Sequence, residues 1–364
     1  MYRSPGRVNL IGEHTDYNEG FVLPAALALA CHVAGGPRDD GRLVVRSENM
    51  DETLDVDLTV DPRAPSGHWQ DYVVGIAMIL RRSGHPIGGA TLVIDSDVPL
   101  GAGLSSSAAL EVGVATALLD LSGTTAEPAT IARMCQQAEH EYVGARCGIM
   151  DYFIACHAHE GTALKLDCRS LEHRFVPMAP PLRIVVCNSK VRHSVAGGEY
   201  NRRVDECEAG VARLSLAQPG LRSLRDADLG LLQACRGDLP DTVFRRCRHV
   251  ITENERVHRM AAALDRHDLG ALGPLMADSH RSLRDDYEVS SPELDLLVEI
   301  AGHLPGVFGA RMTGAGFGGC TVNLVHAEAV GEFRRRLGES YEARTRVSPD
   351  IYVSAAAGAA VRIG

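Results

Sequence analysis

A glycine- and serine-rich turn, Pro99-Leu100-Gly101-Ala102-Gly103-Leu104-Ser105-Ser106-Ser107-Ala108-Ala109, constrains this chain more than any other segment. Thr91 to Ile94 before it read as a strand, and Leu110, Val114, Ala117 and Leu118 after it recur at helical spacing. The chain must pass from strand to helix through a turn with almost no side-chain bulk. Gly101 and Gly103 let the backbone approach a ligand closely, while Ser105, Ser106 and Ser107 offer hydroxyls and a cap. The helix behind supplies unpaired N–H groups and a positive dipole end. These are the ingredients of a phosphate cradle, although neither a Walker Gly-Lys-Ser/Thr nor Gly-x-Gly-x-x-Gly is present. An ordinary capped turn is the plain alternative.

A second cluster, Met312-Thr313-Gly314-Ala315-Gly316-Phe317-Gly318-Gly319-Cys320, lies between two expected strands. Four glycines in six positions carry an entropic penalty, which implies positive φ or close packing, with the first turn as the expected neighbour. The N-terminal segment Gly6-Arg7-Val8-Asn9-Leu10-Ile11-Gly12-Glu13-His14-Thr15-Asp16-Tyr17-Asn18 sets Arg7, Glu13, His14 and Asp16 around an apolar patch. Such groups suit the vicinal hydroxyls of a polyol or sugar. Glu13 and His14 as zinc ligands find nothing nearby to complete a tetrahedral set. Asp151, in Gly148-Ile149-Met150-Asp151-Tyr152-Phe153, is either a carboxylate favoured by a helix dipole or a group acting on a hydroxyl nucleophile. Glu139 is either an exposed helix charge or a hard oxygen ligand for Mg²⁺.

The surrounding pattern is mixed. Residues 20–100 read as β-rich, with Leu54, Val56 and Leu58 alternating against Asp55, Asp57 and Thr59. Helices are expected over 130–143, stopped by Gly144, and from Gly148 onward. The proline-rich stretch 172–181 reads as a domain boundary. Beyond it come a strand at 182–187, helices near 199–214, 240–265, 268–284 and 292–303, strands at 307–312 and 320–325, a helix at 327–341 and a strand at 350–355. The chain is thus an α+β protein, and 364 residues are enough for two domains.

Composition mainly excludes. Net charge is −10, against a nucleic-acid or anionic-membrane partner. Ten scattered cysteines with no Cys-x-x-Cys point to reduced, buried thiols and a cytoplasmic setting. Met1 is followed by polar residues rather than a signal segment. The apolar run from Phe21 to Val33, broken by Pro24 and His32, falls short of the ~20 residues a membrane span needs.

Residues 6–17, 99–110 and 312–319 resemble the three ordered motifs of the GHMP kinases, a family of small-molecule kinases. Gly6 to Tyr17 is similar to the signature of its galactose-phosphorylating branch. Gly148 to Phe153, Asn188 to Tyr200 and Ser282 to Leu294 extend the likeness along the chain. The resemblance implies a two-domain GHMP kinase fold, with a ribosomal-protein-S5-like domain over 1–175 and a ferredoxin-like domain over 182–364. It implies ATP-dependent phosphorylation of galactose at C1, giving galactose 1-phosphate and ADP at the entry to the Leloir pathway, by a monomer.

By the same resemblance, Asp151 and Arg7 are catalytic, and Glu13, His14, Asp16, Gly148 and Tyr200 hold the sugar. Gly101, Gly103, Leu104, Ser105, Ser106 and Ser107 cradle the phosphates, and Trp69 and Tyr72 flank the adenine. Ser107 and Glu139 hold Mg²⁺. Arg7 beside Asp151 favours the ionised carboxylate, hence an orienting rather than a basic role. A kinase for N-acetylgalactosamine or a uronic acid is the nearest alternative; Thr15 and Gly20-Phe21 favour galactose. Mevalonate and homoserine kinases share only the glycine loops. A catalytically silent sugar sensor would have a shortened serine loop, and Ser105 to Ala109 is intact. Two departures are expected to matter. Family members carry residues ahead of the first motif, so one edge of the first domain is expected to be missing. Tyr152 stands where a glutamine is usual, directly after Asp151.

Overall fold

The computed structural model describes residues 1–60, 65–192 and 196–363. The first half opens with strand β1 (Tyr2–Asn9), a two-residue β2 (Phe21–Val22), the long β3 (Pro24–Arg38), β4 (Arg42–Ser47) and β5 (Glu52–Asp57). Helix α1 (Gln70–Arg82) and β6 (Gly89–Ser96) lead to the serine turn and α2 (Ser106–Leu121). Then follow α3 (Pro128–Ala138), a π-helical turn (Glu139–Val143), α4 (Met150–His157), β7 (Thr162–Asp167) and β8 (His173–Pro177). The second half comprises β9 (Leu182–Arg192), α5 (Ala196–Ala217), α6 (Leu229–Ala234), α7 (Asp241–Asp265), α8 (Leu272–Asp285) and α9 (Pro292–Gly302). It closes with β10 (Val307–Thr313), β11 (Gly318–His326), α10 (Val330–Thr345), β12 (Asp350–Ser354) and β13 (Val361–Arg362).

Three sheets form: β13-β1-β3-β6-β4-β5, β10-β11-β9-β12, and β2-β7-β8. The position beside β1, opposite β3, is taken by β13, with Tyr2 opposite Arg362 and Arg3 opposite Val361. In β9 the two-residue period is used on both faces. Ile184 and Val186 enter the main core, while Val185 and Cys187 enter a second apolar layer with Leu297, Phe333 and Tyr341. The main core runs unbroken from the six-stranded sheet into α7, α8, β9 and β11. All ten cysteines are unpaired and seven are buried. Among the described residues no helix is long and apolar enough to cross a membrane.

Several elements depart from expectation. Helix α1 lies inside the stretch read as β-rich. Nine of its thirteen residues are buried, and the unbroken buried run Val73 to Leu80 fits a strand as well as a helix. Its Gly75 leaves room for the Tyr142 side chain, whose Cβ lies 3.0 Å and ring Cγ 3.1 Å from where a Cβ would sit. Residues 173–177, within the proline-rich stretch, form β8 and pair with β7. The helix expected over 130–143 turns π-helical at Glu139 and stops at Gly144, whose φ is +80°. Of the segment 188–200, residues 193–195 lie outside the described residues.

Candidate active site

The serine turn is built on left-handed backbone: φ is +65° at Gly101, +79° at Gly103 and +59° at Ser105. For the serine this costs about 1–2 kcal/mol, and a hydrogen bond holds it there: its hydroxyl donates to Asp151 Oδ2 at 2.5 Å. The second glycine loop lies directly against this turn. A Cβ on Gly314 would fall 2.7 Å from the Gly103 carbonyl oxygen, and one on Gly319 2.9 Å from that of Ala102. Only hydrogen fits at either point.

Strand β1 delivers Arg7 beneath the turn. Its Nε and Nη2 donate to the two oxygens of Asp151, each at 2.6 Å, and Nη1 donates to the Gly103 carbonyl at 2.6 Å. The Arg7 amide donates to the Leu104 carbonyl at 3.0 Å. Burial opposes the guanidinium charge, but the Asp151 carboxylate outweighs it and raises the Arg7 pKa. One side chain thus ties the turn to a carboxylate in the first turn of α4.

The N-terminal motif folds back over this pair. Glu13 Oε1 accepts from the Gly314 amide at 2.7 Å and the Thr313 hydroxyl at 2.9 Å, and Asn9 Nδ2 donates to Oε2 at 3.3 Å. His14 Nε2 faces the Ala315 carbonyl at 3.2 Å, so that nitrogen carries the proton and Nδ1 accepts from the Tyr17 hydroxyl at 2.9 Å. Burial, with His249 second, pushes His14 down to about 3, so the ring is neutral. Asp16 is pushed up to about 7, by burial first and then by the Asp151 charge. Gly148 permits this placement, since a Cβ there would fall 2.0 Å from Asp16 Oδ2. Tyr200 from α5 sets its ring 5.8 Å from His14 and 5.4 Å from Tyr17.

These groups line a cavity of about 190 Å³. It brings together Arg7, Glu13, His14, Asp16, Glu139, Gly148, Asp151 and Tyr200, all singled out in the sequence. Ala145 and Cys147 also line it and were not foreseen; Met150, Gly314 and Ala315, which line it too, lie in the segments already noted but were not singled out. Gly101, Gly103 and Leu104 to Ser107 edge the site without lining that cavity. Two expectations need correction. The Leu104 side chain is fully buried in the core, so only its backbone can face a ligand. The Ser105 hydroxyl is committed to Asp151 rather than held out for a phosphate.

Glu139 sits at the cavity edge, where the nearby Ser107 hydroxyl favours its charged form. Burial nevertheless raises its pKa, against the Tyr152 hydrogen bond and Ser107. Tyr152 thus packs behind Asp151 by donating to Glu139 Oε2, while its oxygen lies 3.2 Å from Cys147 Sγ. The fully buried Glu111 abuts the same carboxyl, and burial followed by the Glu139 charge pushes its pKa far up. Among the described residues no group of three or more His, Cys, Asp or Glu is arranged to hold a metal. One carboxylate and one hydroxyl fit a Mg²⁺ that takes its other ligands from phosphate and water. Trp69, just ahead of α1, donates Nε1–H to Glu52 on β5 at 2.6 Å, with Tyr72 one turn on.

A glycine- and serine-rich turn joined through one arginine to a half-buried carboxylate, on this three-sheet α+β scaffold, is the arrangement of a small-molecule kinase of the GHMP class. Family models agree: GHMP kinases N terminal domain over residues 71–159, GHMP kinases C terminal over 260–343, and galactokinase galactose-binding signature over 1–37. Galactokinases of Roseiflexus sp. (strain RS-1) and Homo sapiens are 45% and 48% identical, over 100% and 93% of this chain and 93% and 86% of theirs. A crystal structure of Lactococcus lactis galactokinase complexed with galactose matches with a TM-score of 0.95 at 34% identity, covering 100% of this chain and 94% of that one. A mevalonate kinase, 18% identical with a TM-score of 0.69 over 97% of this chain and 98% of its own, shares the fold alone. The chain belongs to the galactokinase family.

Proposed function

We propose that this protein transfers the γ-phosphoryl group of ATP to the C1 hydroxyl of galactose, giving galactose 1-phosphate and ADP. The hydroxyl oxygen bonds to the γ-phosphorus, the bond to the β-phosphate oxygen breaks, and the hydroxyl proton leaves. Such transfers ask a protein chiefly for alignment and charge stabilisation. One observation carries the reading: Arg7 reaches both Asp151 oxygens and the Gly103 carbonyl, so the phosphate turn and the sugar cavity share one carboxylate.

Asp151 already accepts from Arg7 and Ser105, which suits a group that orients the hydroxyl while the proton departs late. Arg7 faces the transferring group as well. Glu13 and His14 direct their hydrogen bonds to the protein and shape the sugar pocket; Asp16, Gly148 and Tyr200 complete it. The backbone of Gly101, Gly103 and Leu104 with Ser106 and Ser107 holds the phosphates, and Trp69 and Tyr72 flank the adenine. Ser107 and Glu139 hold Mg²⁺, which when bound offsets charge on the phosphates. We further assign residues 1–175 and 182–364 to two domains of a cytoplasmic monomer.

A coupled ADP-release assay over a panel of monosaccharides, with mevalonate included, tests the substrate. Galactose should give the highest kcat/KM; a clear preference for another acceptor overturns the reading. Asp151→Asn should lower kcat by at least about 10³-fold with ATP binding retained, and substantial residual turnover would remove Asp151 from the mechanism.

A further inference from the structure

We propose that helix α7 is the positioning element for the sugar motif, acting through His249, Glu253 and Asn254 on the backbone of residues 12–21. This rests on the reading of that segment as the sugar site. His249 and Glu253 lie one turn apart on α7, Asn254 follows directly, and all three are buried. Buried polar side chains require partners, and each finds one on the motif's main chain. Glu253 Oε1 accepts from the Gly12 amide at 2.9 Å. His249 Nε2 donates to the Glu13 carbonyl at 3.1 Å, which leaves Nδ1 to accept from Ser282 at 2.9 Å. Asn254 Oδ1 accepts from the Phe21 amide at 2.9 Å.

The same face explains two glycines of the motif. A Cβ on Gly12 would lie 2.8 Å from Val257 Cγ2, and one on Gly20 only 2.4 Å from Asn254 Oδ1. The helix is pressed against the motif at both ends. The backbone is left-handed at the first of these ends, Gly12, φ +104°, and between them at His14, φ +63°. A histidine holds such a conformation only where its surroundings over-determine it. Glu253 is itself fixed, by the Ser279 hydroxyl at 2.7 Å and Arg256 Nε at 2.6 Å. None of the three residues lines the cavity, so they act through the motif rather than on the sugar.

The test separates positioning from general stability. His249→Leu removes the hold on the Glu13 carbonyl. Its KM for galactose should rise about tenfold, with KM for ATP within twofold of the parent and kcat less affected than KM. His249→Gln, whose amide can take the place of Nε2–H, should recover most of the loss. Asn254→Ala, which releases Phe21 separately, should show the same split and serves if His249→Leu does not fold. Parallel rises in both KM values, or no rise for galactose, overturn the proposal. Hydrogen exchange at the Phe21 amide reads the Asn254 contact without substrate. It should quicken about tenfold or more in Asn254→Ala, and an unchanged rate overturns the proposal. Should the parent enzyme phosphorylate no galactose, the functional reading fails, and the exchange rates alone decide the role of α7.

Discussion

Asp16 shares the cavity lining with the carboxylates of Glu13 and Asp151, and its environment sets its chemistry. Burial and the Asp151 charge push its pKa up to about 7. Above that pH it accepts from a sugar hydroxyl; below it, it carries a proton and accepts less well. The kcat/KM for galactose should therefore fall as pH drops through about 7, by roughly tenfold per unit once below it. Asp16→Asn, which has no proton to exchange there, should be slower and lack this limb. A limb that persists in the variant belongs to another group.

The two glycine loops form one unit, because Gly314 and Gly319 lie against the carbonyls of Gly103 and Ala102. Gly314 also has φ +84°. Gly314→Ala should strain the backbone by about 1–2 kcal/mol and force the loops apart. We expect a higher KM for ATP, and a Tm lowered by about 2–4 °C per kcal/mol lost. Gly331→Ala, with open space at its Cβ on the surface of α10, is the control and should be neutral or slightly stabilising. Equal behaviour of the two variants would refute the packing argument. The expectation that the second loop packs on the first stands on these distances. By contrast, nothing in the spacing of 130–143 announces the π-helical turn, which presents Glu139 toward Ser107.

Across the molecule, crossed ion pairs join the two halves. Arg225 pairs with Asp167 and Arg169 with Asp226, and Arg225 also lies over the Phe21 ring, 4.3 Å from its centroid. Burial opposes the Asp167 charge, but Arg225 prevails and holds its pKa down at about 2; Arg169 depresses Asp226 likewise. Glu253, against the effect of burial, is drawn to about 2 by Arg256 and His249. Carboxyls with depressed folded-state values stabilise above their unfolded values, ~3.9–4.3, and lose that contribution as pH falls toward 2. Urea unfolding between pH 5 and 2 should show stability falling across this window, by about 2 kcal/mol per pair. Arg225→Ala should be less stable at pH 5 and show a shallower fall; a pH dependence identical to the parent contradicts the assignment.

Local chemistry was legible wherever it is carried within one element. The helix expected over 240–265 forms at Asp241–Asp265, the strand at 350–355 at Asp350–Ser354, and the glycines occupy positive-φ or close-packed positions as their clustering implied. Periodicity and backbone freedom are properties of neighbouring residues, so spacing alone records them. It could not separate α1 from a strand, since the short apolar run Val73 to Leu80 suits either, nor record which faraway group each side chain meets. Arg7 and Asp151 are 144 residues apart, Glu13 and Gly314 301, and Glu253 and Gly12 241. His249 and Glu253 read along the chain as an ordinary helical pair. Only the folded packing, by removing water and bringing these distant groups within 3 Å or so, turned the pair into a clamp and Asp16 into a group titrating near neutral pH.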